Sequence, residues 1–199
     1  MTVHTGVRFA QRHFALAALP RERWKNGGGW TSPVTSVAGA DGLPDWRVSV
    51  AEITEAGPFS IFQGLERQAV MLDGGRLRLR AACPADDIVF DGPGSQAAFP
   101  GERALVADAP ALPTRLWNVM HRRGVVQAQV SVWTDRLVEL PVAPHLLLYV
   151  LGGEMELALP HCRSQGLVAG QGLHLQQLPA HTLLAPCRPG SRVLVTAIV

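Results

Sequence analysis

Lysine is almost missing from this chain of 199 residues: Lys25 is the only one among 18 basic residues, and the rest are Arg. Against 16 acidic residues these leave a formal charge of +2 and a sequence pI of about 8.7. So mild an excess is no argument for a nucleic-acid partner, and no aromatic RNA-binding pattern accompanies it. Cysteine is scarce as well. Cys83, Cys162 and Cys187 are odd in number and have no Cys-x-x-Cys spacing, which argues against a disulfide framework and a cysteine zinc site. Buried or idle thiols in a reducing cytosol are the expectation. Residues 1–10 lack the apolar core of a signal peptide, and the longest apolar stretches, such as Ala143 to Leu151 with His145 inside, are too short for a bilayer. A soluble cytoplasmic protein with no membrane partner is expected.

Catalytic signatures are absent too. There is no Gly-x-Ser-x-Gly elbow, no Gly-Lys-Ser/Thr phosphate loop, no His-x-His and no His-Glu-x-x-His. No acidic pair sits where two carboxyl pKa values would be driven apart. Cys83, ahead of Pro84, has no evident base partner. Of the seven histidines (His4, His13, His121, His145, His161, His174 and His181), His174 and His181 flank an expected turn and can converge with His145. Two or three converging histidines can hold a metal, so a metal-dependent enzyme stays as an alternative.

Glycine and proline are plentiful, 20 and 15 residues, and at about 1 and 3 kcal/mol per interior helical position they disfavour long helices. Strand patterns dominate instead. Trp46-Arg47-Val48-Ser49-Val50-Ala51 alternates with period two, and Arg76-Leu77-Arg78-Leu79-Arg80 does the same. Gln68 to Leu72 with Asp73-Gly74-Gly75 and Arg76 to Arg80 reads as a hairpin, and His145 to Leu151 with Gly152-Gly153 and Glu154 to Leu159 reads as another. Further strands are expected at Ile88 to Phe90, Ala104 to Ala107, Leu116 to Met120, Val125 to Trp133, Leu173 to Leu178, Thr182 to Ala185 and Arg192 to Val199. Only Gln11 to Arg23 looks mildly helical. Many short strands in two similar sets imply an all-β chain, either two small barrels or one larger double-sheet body; the division is placed at residues 1–112 and 113–199, with the N-terminal segment able to add a strand to the second. Exposed edge strands leave a homodimer open.

Four stretches stand out as able to carry chemistry. In Trp24-Lys25-Asn26-Gly27-Gly28-Gly29-Trp30-Thr31, three glycines can turn backbone N–H groups into an anion-holding concavity, with Lys25 and Asn26 beside it; a plain turn is the alternative. Arg47 and Ser49 share one strand face, either solvent or a barrel lumen, where a guanidinium fork suits a carboxylate. Gly57-Pro58-Phe59-Ser60-Ile61-Phe62 puts two Phe at a barrel end with Ser60 and Arg67 in reach, or is a packed connecting loop. Asn118 and Met120 alternate on a strand that ends in His121-Arg122-Arg123-Gly124; an exposed basic turn is the alternative.

Taken in order, these four blocks resemble the HutD/Ves family of bacterial proteins, and Leu146 to Val199 is similar to that family's C-terminal cupin half. The resemblance implies a bicupin, two jelly-roll-like β-barrels in one chain. It implies a non-enzymatic regulator linked to histidine utilisation, without metal or cofactor. The implied ligand is a small carboxylate metabolite of the formylglutamate, formiminoglutamate or urocanate class, held in the N-terminal barrel. Arg47, Arg67 and Arg122 would balance its charge. Lys25, Asn26, Ser49, Ser60 and Asn118 would add a cation and hydrogen bonds, with Trp24, Phe59 and Met120 as apolar walls. Two departures stand against the family pattern: Pro33 and Leu116 occupy positions where relatives usually carry acids. They keep a ligand-free scaffold as a third reading.

Overall fold

The structure, a computed structural model, describes residues 9–160 and 162–199. His4, His161 and most of the stretch read for a signal peptide lie outside the described residues. The described chain is all-β, with two single-turn 3-10 segments at Leu16–Ala18 and Pro84–Asp86. Its strands are β1 (Ala10–Ala15), β2 (Glu22–Arg23), β3 (Gly29–Ala38), β4 (Pro44–Ile53), β5 (Gly57–Pro58), β6 (Leu65–Asp73), β7 (Leu77–Arg80), β8 (Ile88–Phe90), β9 (Gln96–Pro100), β10 (Val106–Ala107) and β11 (Thr114–Arg122). They continue as β12 (Ala128–Thr134), β13 (Val138–Glu139), β14 (His145–Gly152), β15 (Glu154–Ala158), β16 (Gln165–Val168), β17 (Gln171–Gln176), β18 (Leu183–Pro186) and β19 (Arg192–Ile198).

One compact unit is Leu19–Gln127. Its six-stranded sheet runs β2-β3-β4-β11-β6-β9 and its four-stranded sheet β5-β10-β7-β8. Period-two alternation builds the core. On β7, Leu77 and Leu79 are buried while Arg78 and Arg80 stay outside and pair with Asp87 and Asp108. They join Ile53, Met71, Phe90, Leu105 and Leu116 in one apolar cluster. Each fully buried side chain of this kind contributes roughly 1.5–3 kcal/mol.

The other unit joins residues 9–18 to Ala128–Val199. Its sheets run β1-β17-β14-β19-β12 and β13-β18-β15-β16. Leu146, Leu148 and Val150 of β14 meet Leu173, Leu175, Val193 and Val195 on one face of the larger sheet, and Met155, Leu157 and Leu184 close the core from the smaller. The division thus follows residue 127 rather than residue 112. The reason is hydrogen bonding: β11 lies between β4 and β6, in the middle of the first unit's larger sheet.

Two local expectations change. Gln11 to Arg23 is no helix; its first half is β1, an edge strand whose pairing with β17 overrides the weak helical pattern. The Gly-Gly segments do not close hairpins. β6 pairs with β9 and β11 whereas β7 pairs with β8 and β10, so at Gly74-Gly75 the chain passes from one sheet to the other. It does the same at Gly152-Gly153, between β14 and β15. Gly74 has φ +110° and a Cβ there would lie 2.8 Å from Thr114 Cα; Gly153 has φ +76° and would lie 2.7 Å from Ser191 Cα. Both corners therefore need a residue without a side chain, and each packs on a buried hydroxyl residue.

Candidate functional site

The first unit holds a cavity of ≈ 620 Å³. Its floor is the inner face of β4, β11 and β6, and the register makes that face a set of rows. Arg47, Met120 and Arg67 are direct cross-strand neighbours; Ser49, Asn118 and Ala69 form the next row; Ala51, Leu116 and Met71 form the third. The face therefore grades from cationic through polar to apolar within three pairs. Neighbouring strands lie about 4.8 Å apart, so Arg47 and Arg67, two strands from each other, converge over Met120. All but Ala69, Leu116 and Met71 line the cavity.

Arg67 is the unusual member. It is 5% exposed, and its guanidinium carbon lies 5.2, 5.6 and 5.1 Å from the ring centres of Phe59, Phe62 and Phe99. Its Nε and Nη2 donate to Asn118 Oδ1 at 3.4 and 3.3 Å, and Nη1 donates to the Ser60 carbonyl at 3.3 Å. No carboxylate among the described residues pairs with it. Burial, and secondly the charge of Arg47, pull its pKa down to about 10. Arg47 itself makes no ion pair or side-chain hydrogen bond among the described residues. Two inward guanidinium groups without a protein counter-charge make a receptor for an anion.

The glycine-rich segment acts differently from the anion-holding reading. Gly27 N–H donates to the Trp24 carbonyl and Gly28 N–H to Asn26 Oδ1, so these amides are already engaged within the turn. Gly29 is required for close approach, since a Cβ there would overlap the Glu52 carbonyl and lie 3.1 Å from the Trp24 ring. The turn still delivers side chains: Trp24, Lys25 and Asn26 line the cavity, and the Trp24 indole donates to Thr31 Oγ1 at 2.8 Å. Ser60 lines the cavity as well, with its carbonyl on Arg67.

Of the nine residues singled out in the sequence, Lys25, Asn26, Arg47, Ser49, Ser60, Arg67, Asn118 and Met120 meet at this cavity. Arg122 does not. It forks onto Asp41 at 2.8 and 2.9 Å and reaches Asp45 at 3.3 Å, clasping the turn between β3 and β4. Both guanidinium and carboxylate hold their charge more firmly for it: the bond to Asp41 raises the Arg122 pKa, and the bond to Arg122 lowers that of Asp41. Arg123 is equally structural, pairing with Glu66 and Glu102. Pro33 and Leu116 do not line the cavity. Pro33 sits at a bulge in β3, and Leu116 is buried in the core.

Sequence reasoning missed Glu22, Arg23, Thr31 and Phe99. Phe99 is the direct neighbour of Arg67 on β9, and nothing in Gln96 to Pro100 marks it as a strand toward a cavity. The Trp24 indole and Thr31 hydroxyl are complementary, the one signal that could have found Thr31.

The histidines of the second unit converge in part. His145 Nδ1 and His174 Nε2 lie 3.1 Å apart with stacked rings, while His181 pairs with Glu139. Burial lowers the His145 pKa, and burial with the charges of His145 and Arg12 lowers that of His174 to about 4. Among the described residues no three His, Cys, Asp or Glu side chains cluster closely enough to hold a metal ion. All three cysteines are free and exposed. No helix among the described residues is long and apolar enough to cross a membrane.

Comparison with known proteins adds a family. The HutD family profile matches residues 16–187. An uncharacterised 21.2 kDa protein in the hutC 3' region of Pseudomonas putida is 43% identical over 82 residues, which is 37% of this chain and 43% of that protein. Protein Ves of Citrobacter koseri is 36% identical over 67 residues, 34% of this chain and 35% of that protein. The matches thus span less than half the length of these curated relatives. Among solved structures, a conserved protein of unknown function from Pseudomonas aeruginosa PAO1 superposes with TM-score 0.82 at 24% identity over 95% of this chain and 98% of that one. HutD from Pseudomonas fluorescens SBW25, in a structure described as a formate condition, gives 0.81 at 21% over 96% and 98%.

Proposed function

The chain belongs to the HutD family and has its two-barrel bicupin fold, and on that footing we propose that it is a non-enzymatic regulator whose first barrel binds a small carboxylate metabolite of histidine utilisation. One observation carries the reading: Arg67 is buried without a carboxylate partner among the described residues and faces a second inward cation, Arg47. Buried charges are normally paired, and a desolvated arginine–carboxylate hydrogen bond is worth about 1.5–3 kcal/mol. An anionic ligand supplies the missing partner. Trp24, Phe59, Phe62 and Met120 shield the pair from water and add apolar contact for the rest of the molecule.

The lining supports binding rather than catalysis. It holds no histidine and no cysteine, and Glu22 is its only carboxylate, so no nucleophile has a base beside it. Formylglutamate, formiminoglutamate and urocanate are the ligands of choice within the histidine-utilisation setting that the resemblance to the HutD/Ves family implies. Calorimetric titration with these three tests the reading. At least one binds with one-to-one stoichiometry, and Arg47→Ala weakens it at least about tenfold, the loss of one charged hydrogen-bonding partner. Failure of all three to bind, or an Arg47→Ala protein that binds as tightly as the parent, refutes it.

A further inference from the structure

We infer that the inner end of the cavity takes only carboxylates that carry no cationic nitrogen, and therefore rejects free α-amino acids. This rests on the carboxylate-binding reading above and narrows its ligand class.

The argument is one of hydrogen-bond direction. A guanidinium only donates, so the two bonds from Arg67 fix the Asn118 amide with Oδ1 toward Arg67 and Nδ2 away from it. Nδ2 makes no hydrogen bond to the described residues, yet no buried side-chain nitrogen or oxygen among them is left without a partner. It is therefore open to the cavity that Asn118 lines. Arg67 uses three of its five N–H groups on Asn118 and Ser60, leaving one on each terminal nitrogen. Arg47 engages none of its own within the described residues.

Around the Arg47–Met120–Arg67 row, then, the free polar groups are donors. The acceptors are few and each already carries a bond: Asn118 Oδ1 two and the Ser60 carbonyl one, all from Arg67, and the Pro58 carbonyl one from Asn26. The Ser49 hydroxyl can accept, but it is neutral and cannot balance an ammonium beside two guanidinium groups. The lone carboxylate of the lining, Glu22, is on the exposed two-residue strand β2. A carboxylate, which only accepts, fits this donor set. An α-ammonium next to that carboxylate meets like charge and no negatively charged acceptor. The remaining volume, walled by Trp24, Phe59 and Phe62, suits an uncharged chain or flat ring.

Matched pairs test this by calorimetry at about pH 8, where an α-ammonium is charged and an imidazole is neutral. Glutarate and N-formylglutamate are each set against glutamate, and urocanate against histidine. In every pair that binds, the member without the ammonium binds at least about tenfold more tightly, the order of discrimination that unpaired buried groups produce. Formiminoglutamate, with its amidinium, falls on the weak side. An amino acid that binds with a smaller deficit than this overturns the inference and leaves the carboxylate reading standing. If none of the carboxylates binds, that reading falls and takes the inference with it.

Discussion

Asn118 Oδ1 accepts from both Nε and Nη2 of Arg67, across adjacent strands and one row apart on the sheet. The contact holds the one buried guanidinium of the cavity at a fixed orientation without neutralising it. Asn118→Asp supplies the absent negative charge: it keeps the fold at least as stable by thermal melting and abolishes carboxylate binding by calorimetry. Asn118→Ala leaves Arg67 donors unsatisfied and destabilises the protein by about 1–3 kcal/mol. An Asn118→Asp protein that still binds a carboxylate at the parent's affinity would contradict this role.

The glycine-rich turn discriminates between neighbouring glycines. At Gly29 a Cβ meets the Glu52 carbonyl and the Trp24 ring, whereas at Gly28 the nearest atom, Asn26 Oδ1, lies 3.6 Å away. Gly29→Ala is expected to cost about 1–3 kcal/mol or more in chemical denaturation, the usual range for overpacking, and Gly28→Ala well under that. Equal losses at both positions would show that the turn is governed by flexibility rather than by close approach.

The two consecutive arginines after His121 secure different loops. Arg123 pairs with Glu102, whose Oε1 accepts from Gly64 N–H at 2.6 Å, and Arg123 N–H donates to the Gly64 carbonyl at 3.0 Å. This ties down the end of the segment carrying Phe59, Ser60 and Phe62. Glu102→Ala is expected to weaken carboxylate binding roughly threefold to tenfold by loosening a preorganised wall. Arg122→Gln, which frees the turn at Asp41, leaves the affinity unchanged. Calorimetry on the two variants checks both halves of the statement.

Acid stability reports on the second unit. The His174 pKa is lowered to about 4 in the folded chain against an ordinary 6.5, so the unfolded chain binds the extra proton first. The stability is complete above about pH 6.5 and is lost as pH falls through about 4. His174→Gln should flatten this limb of a pH–melting curve; a curve superposable on the parent's would remove His174 as its origin. At the other extreme, Arg67 must be charged to hold an anion, so carboxylate affinity declines as pH rises through about 10.

The fold class was legible because alternation on strands such as Trp46 to Ala51 and Arg76 to Arg80 is a local property. Much of the site was legible for the same reason: Arg47 and Ser49 share a face, as do Asn118 and Met120, whatever their neighbours. What local pattern cannot carry is pairing. Arg122 continues the alternation of Asn118 and Met120, yet Asp41 of the turn between β3 and β4 and Asp45 at the start of β4 capture it. Gly74-Gly75 has the composition of a hairpin, and only the distant partners β9 and β11 reveal that β6 and β7 lie in different sheets. Phe99 enters the site through β9, paired with β6 from more than thirty residues away along the chain. The amides of Gly27 and Gly28 looked free because their acceptors, the Trp24 carbonyl and the Asn26 side chain, depend on how the turn closes.

The most direct measurement is a crystal structure of this chain grown with N-formylglutamate or urocanate. The account predicts density for a carboxylate over Met120, within hydrogen-bonding distance of Arg47, of the free edge of Arg67 and of Asn118 Nδ2. Ligand bound elsewhere on the protein, or a cavity in which only water meets those two guanidinium groups, would contradict it.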